Sequence, residues 1–176
     1  MKAQFWSMDA IFAIVIFGVA MVLITFVWYN VTNQFALANG NGVSNAQSQL
    51  QSLETRLVAP GSPSNWYSSI NVSNTITWNN ISIGLGGSGQ GNLSRQKIYT
   101  LIAMTNTNYQ ATKQELGVGY DYFITLNGGN YNLTIGSNPA LKNATTEQVA
   151  EVPVTINGAS AQMQIIVWTN TTFGVS

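Results

Sequence analysis

The chain has 176 residues, six basic and six acidic, with no histidine and no cysteine. A balance this even supplies no basic patch to neutralise phosphates, so nucleic acid is excluded as a partner. The missing Cys and His exclude disulfides, thiolate chemistry and an ordinary zinc site, and no cofactor is expected.

A surface so poor in charge must be solvated by Asn, Ser, Thr, Gln and Gly, which suits an extracellular setting. With few carboxylates to titrate, such a domain is expected to lose little electrostatic stability in acid.

Residues 1–9 read as a leader or N-terminal segment. Residues 10–29, AIFAIVIFGVAMVLITFVWY, are apolar apart from Thr25. About 20 such residues span ~30 Å as a helix, which matches a transmembrane helix or a filament-core helix. No Lys, Arg, Asp or Glu occurs between Asp9 and Glu54. No A-x-A cleavage pattern follows the run, so it is expected to be retained. Lys2 points to a cytoplasmic N-terminus and an outside C-terminal domain. Trp6, Trp28 and Tyr29 flank the run as interfacial aromatics do. Asp9 stands at its mouth and has two readings. One is a helix cap, with Ser7 as the alternative cap; the other is recognition of a partner charge during assembly.

Residues 30–59 read as a helical extension. Asn39-Gly40-Asn41-Gly42 predicts an interruption near 39–43, and Ser44 with Gln47 resembles a capping box that restarts the helix. Ala46, Leu50, Leu53 and Leu57 then share one face. Pro60-Gly61-Ser62-Pro63 stops the helix.

Residues 60–176 read as one β-rich domain. ITWNNISI, residues 76–83, predicts a strand. GLGGSGQG, residues 84–91, is a loop with a formal G-x-G-x-x-G match at Gly84, Gly86 and Gly89. It lacks a βαβ setting and a following acidic residue, so nucleotide binding is not expected. Two short helices are predicted. The first covers residues 95–104 behind Ser94, with Ile98, Leu101 and Ile102 inward; the second covers 109–116 and stops at Gly117. Tyr120, Tyr122, Ile124 and Leu126 alternate with Asp121, Phe123 and Thr125 before an Asn127-Gly128-Gly129-Asn130 turn. Val152, Val154 and Ile156 precede an Asn157-Gly158 turn, and Ala161, Met163, Ile165 and Val167 return. Pro153 predicts an edge or a bulge. The fold class is therefore α+β: a long hydrophobic N-terminal helix, then an antiparallel sheet domain with two short inserted helices.

Catalysis needs positioned acids, bases or nucleophiles. Glu147 and Glu151 are four apart, but on a strand they are spread, and no enzyme is expected. N-x-S/T sequons mark Asn71, Asn80, Asn92, Asn132, Asn143 and Asn170 as possible glycosylation sites. Loop-like Asn71, Asn92 and Asn143 are the best placed, and a seventh, Asn30, lies at the edge of the apolar run.

QFWSMDAIFAIVIF resembles the N-terminus of archaeal type IV pilins and pilin-like proteins. LVAPGSPSNW, LSRQKIYTLIAM and YQATKQELGVGYDYFITL resemble the exported domain of archaeal pilin-like membrane proteins. The resemblance implies a short leader cut by a prepilin peptidase between Ala3 and Gln4, and assembly with copies of itself or related pilins, through the apolar helix. It implies an extracellular filament if processed, and otherwise a chain in the cell membrane with its C-terminal domain outside. Asp9 would pair with the new terminal amine of a neighbouring subunit. Counting from Gln4, Asp9 is sixth, whereas pilins usually carry the acid fifth. Counting from Phe5 restores the fifth position but puts Gln4 before the cut, where a small residue is usual. Either the site is atypical or the leader is never removed. An uncleaved, single-span surface or adhesion protein is the alternative.

Overall fold

The computed structural model describes residues 3–89 and 91–171, with side chains described for 12–28, 43–89 and 91–171. The chain divides into two compact units, Met1–Asn41 and Gly42–Ser176.

The first helix, α1, covers Ala3–Val58 without a break. The expected interruption near 39–43 is absent. Each glycine costs about 1 kcal/mol relative to alanine inside a helix. Once a helix has nucleated, each added residue gains a hydrogen bond, and the helical runs on either side carry Gly40 and Gly42 through. Gln47 consequently lies within the helix and restarts nothing.

In the second unit, residues 42–58 of α1 present Ala46, Leu50, Leu53 and Leu57, all buried. The last three join one core cluster with the inner face of a five-stranded sheet. Two short helices follow later, α3 (Arg95–Thr107) and α4 (Tyr109–Glu115), and Trp66–Ser69 forms a single turn, α2. Ser94 occupies the N-cap position of α3, although its side chain makes no capping bond. Asn108 caps α4 by accepting from the Ala111 amide at 3.0 Å.

The sheet runs β1 (Asn92–Leu93), β4 (Thr146–Ile156), β5 (Ala159–Thr169), β2 (Asp121–Gly128), β3 (Tyr131–Gly136). Three pairings are antiparallel. The fourth, β1 on β4, is parallel, so the sheet is mixed rather than wholly antiparallel. The Asn157-Gly158 turn has φ of 51° and 79°, the left-handed pair that a two-residue hairpin requires. Pro153 is accommodated because β1 is so short. The Thr155 amide donates to Gly91 O at 2.8 Å. Two residues back, the Pro153 nitrogen faces the same side, where β1, which runs parallel and starts opposite Thr155, has not yet begun.

The strand expected over residues 76–83 is not formed. Thr75–Trp78 is a 3-10 turn started by Asn74, whose side chain accepts from the Ile76 amide. The buried Trp78 indole donates to Asn71 O at 3.1 Å, which holds the turn closed. Ser82 alone keeps an isolated antiparallel bridge, with Ser62.

Candidate assembly segment

Residues 12–28 of α1 carry the most unusual surface in the chain. Phe12, Ile14, Ile16, Phe17, Val22, Leu23, Ile24, Phe26 and Trp28 are all more than half exposed, Trp28 by 74%. They do not form a stripe. Ile16, Phe17 and Val19 are close in sequence and therefore point in different directions round a 3.6-residue helix. Thr25, the one polar side chain of the run, bonds back to Met21 O at 2.8 Å and so presents no free hydroxyl hydrogen. Among the described residues, no helix is long and apolar enough to cross a membrane. The apolar run in the sequence, 10–29, extends past both ends of the described side chains.

Ala3, Gln4 and Asp9 belong to α1 by backbone, but their side chains lie outside the described residues, as does that of Asn30. The leader cut and the role of Asp9 are therefore not addressed by any contact.

Where α1 ends, the glycine-rich stretch acquires a structural role. The Leu85 amide donates to Leu57 O at 2.8 Å and the Gly86 amide to Ala59 O at 2.8 Å. These bonds satisfy carbonyls that a helix C-terminus leaves open. A Cβ on Gly84 would strike the Ala59 carbonyl oxygen and the Gly61 amide, and one on Gly86 the Val58 carbonyl oxygen. The spacing of Gly84 and Gly86 thus reflects a close approach of two backbones. Lys97, on α3, completes the joint: its Nζ donates to Pro60 O at 2.6 Å and to Gly86 O at 2.7 Å. Burial pushes the Lys97 ammonium below its ordinary pKa of 10.5. Sequence reasoning missed this lysine. Its only signal was a basic residue on the inward side of a predicted helix.

Further contacts hold residues 42–58 on the domain. Gln49 Oε1 accepts from the Gly119 amide at 2.8 Å, and Arg56 Nη1 donates to Glu115 O at 3.2 Å. Glu115 itself is pushed above the usual carboxylate range by burial.

The acidic residues stand apart. Asp121 takes Lys113 at 3.1 Å and the Tyr109 hydroxyl at 3.0 Å. Glu147 and Glu151 lie along β4, opposite Trp168 and Gln164. Among the described residues no three acidic side chains gather as a metal site would need.

The sequon residues differ in availability. Asn71, Asn80, Asn132, Asn143 and Asn170 are exposed. Asn71 Oδ1 accepts from the Ser73 amide, and Asn143 has φ of 53°. Asn92 is half-buried in β1: its Nδ2 donates to Ser88 O at 3.1 Å and its Oδ1 accepts from Thr155 at 3.3 Å. A glycan on Asn92 would take one of its two Nδ2 hydrogens and leave the other for the bond to Ser88.

No family model, curated protein or solved structure matches the chain.

Proposed function

We propose that the chain is a structural subunit of an archaeal type IV pilin-like surface filament, assembling through its N-terminal hydrophobic helix. One observation carries this reading: side chains 12–28 are apolar all round and exposed. A helix apolar on every side is stable in water only when it is surrounded, by other helices or by lipid. Copies of the same helix packed side by side provide such surroundings without a soluble monomer. Residues 46–57, by contrast, have their partner within the chain. The glycine and lysine joint at the end of α1 holds residues 42–58 on the folded domain. On this reading the domain is displayed outside the cell and the chain works without catalysis or a cofactor. Its partners are copies of itself or related pilins, the membrane before assembly, and a prepilin peptidase acting at Ala3–Gln4.

The second reading is an uncleaved, membrane-anchored surface protein, and the position of Asp9 favours it, one residue beyond the usual pilin spacing from Gln4. N-terminal sequencing of protein sheared from cells separates the two. A filament fraction whose chain begins at Gln4 is expected. An intact Met1 on protein that stays with the membrane overturns the filament reading.

A further inference from the structure

We propose that the outer face of the sheet is a binding surface for a neutral polysaccharide, a proposal independent of how the chain assembles. The registers align the outward side chains into rungs across four strands. One rung is Asn132, Asn127, Gln162, Pro153; the next is Thr134, Thr125, Gln164, Glu151. A third holds Phe123, Ile166 and Val149 beside Gly136. Rungs lie ~7 Å apart and each spans ~14 Å, given the ordinary strand rise and spacing. Every one of these side chains is exposed or half-exposed. The buried Tyr122, Ile124, Leu126, Met163 and Ile165 point to the opposite face, which the core covers.

The chemistry of the face selects its partner. Its three rungs hold one carboxylate, Glu151, and the next rung adds Glu147 and Asp121, the latter paired with Lys113 at 3.1 Å. The face therefore offers no uncommitted cation to a phosphate or to an acidic lipid or peptide. Glu151 is held in place: Gln162 Nε2 donates to one carboxylate oxygen at 2.7 Å and Gln164 Nε2 to the other at 3.1 Å. Each glutamine amide has a second N–H and an acceptor oxygen beyond that bond. Thr125, Glu151, Gln162, Gln164 and Asn127 line a shallow hollow of about 100 Å³. Fixed donor and acceptor pairs of this kind match vicinal hydroxyls, which both donate and accept. Phe123, Ile166 and Val149 lie on the adjoining rung, an apolar strip beside the polar ones. A sugar chain carries the same combination, apolar C–H faces edged by uncharged hydroxyls. A protein partner would call for a buried aromatic or arginine anchor, and the face has one half-exposed phenylalanine and no arginine.

Calorimetric titration of the full chain in detergent micelles with cellohexaose, maltohexaose and mannohexaose tests the proposal. Saturable binding to at least one is expected. Phe123→Ala and Gln164→Ala should each weaken it at least tenfold, and Glu151→Gln, which loosens the two glutamines, at least threefold. These substitutions lie on the solvent side, and an unchanged melting temperature verifies folding. Gln47→Ala on α1 should leave binding as it was. Absence of saturable binding to all three sugars overturns the proposal, as does binding that none of the face variants weakens. Self-association abolished by the same variants would show that a second copy occupies the face, and would overturn it too.

Discussion

Two stretches of one helix solve the same problem in opposite ways. Residues 46–57 place Ala46, Leu50, Leu53 and Leu57 on one face and bury all four, while Gln47, Ser48, Gln51 and Ser52 stay exposed. Residues 12–28 have no polar face and bury nothing within the described chain. The first pattern is what a helix needs when one side meets a core and the other meets water. The second suits surroundings that are apolar on every side. The boundary between the two patterns falls among residues that carry no charge, since none occurs between Asp9 and Glu54.

The widest separation between the two stretches should come from charging the first. Ile16→Asp is expected to abolish surface filaments, read by electron microscopy and by the sheared fraction. The thermal melt of the sheet domain should not move, because the Ile16 side chain is 68% exposed. A melt that fell with filament yield would show that the two units are energetically one, and the comparison would break.

Truncating the second stretch should do the reverse. Leu53→Ala removes a side chain that is 1% exposed, and core deletions of this kind cost about 2–5 kcal/mol. Chemical unfolding should report that loss. Assembly at temperatures where the domain remains folded should continue.

The joint at the end of α1 separates sequence patterns that can be read from those that cannot. The stripe of Leu50, Leu53 and Leu57 was legible because helical periodicity is a local property, and so was the hairpin at Asn157-Gly158. Residues 76–83 misled because β-branched and aromatic residues also suit a turn that buries one tryptophan, and Trp78 decided the matter through Asn71, seven residues away. The strand β1 was too short to have a pattern: Asn92 and Leu93 become a strand only because Thr155 and Ile156 lie alongside. The glycines at 84 and 86 were legible as a loop, but their reason is the backbone of Val58 and Ala59, which a linear reading cannot bring near. Of the candidate assembly segment, the apolar run was plain, whereas the roles proposed for Ala3, Gln4 and Asp9 rest on residues whose side chains lie outside the described set.

Gly84→Ala tests that joint directly. Its new methyl would meet backbone atoms of Ala59 and Gly61 rather than a flexible side chain, so the backbone must shift, at about 1–3 kcal/mol. A smaller change, Lys97→Met, keeps the aliphatic stem and leaves the carbonyls of Pro60 and Gly86 without their ammonium donor. About 1–2 kcal/mol of stability should be lost at neutral pH, at the lower end of the cost of an unsatisfied buried acceptor, because removing a desolvated charge offsets part of it. Hydrogen exchange should show the Leu85 and Gly86 amides opening before the β4–β5 ladder. Equal exchange in variant and parent would mean that Lys97 does not hold the joint.

The mildest effect is the alkaline profile, in which buried groups oppose one another. Tyr122 is pushed up to about 12, mainly by burial, although a hydrogen bond with Thr105 works against the shift. Tyr109 is also raised, chiefly by burial and further by Asp121, while the bond from the Tyr122 amide lowers it. In each case the native form keeps its proton after the unfolded chain has lost it. Stability from the tyrosines is therefore complete below pH 10.0, the ordinary value, and declines as pH rises beyond it. Lys97 has the opposite sign. Its native pKa is lowered, so the unfolded chain binds more protons, and stability rises with pH between the lowered value and 10.5. Denaturant midpoints measured across this range should rise slightly before pH 10 and then fall. Lys97→Met should remove the rise and leave the fall. Tyr122→Phe should make the fall shallower, since one of the two protons responsible is gone, and a fall as steep as the parent's would sink the assignment of the alkaline transition to Tyr109 and Tyr122, whose rings stack with centroids 5.2 Å apart.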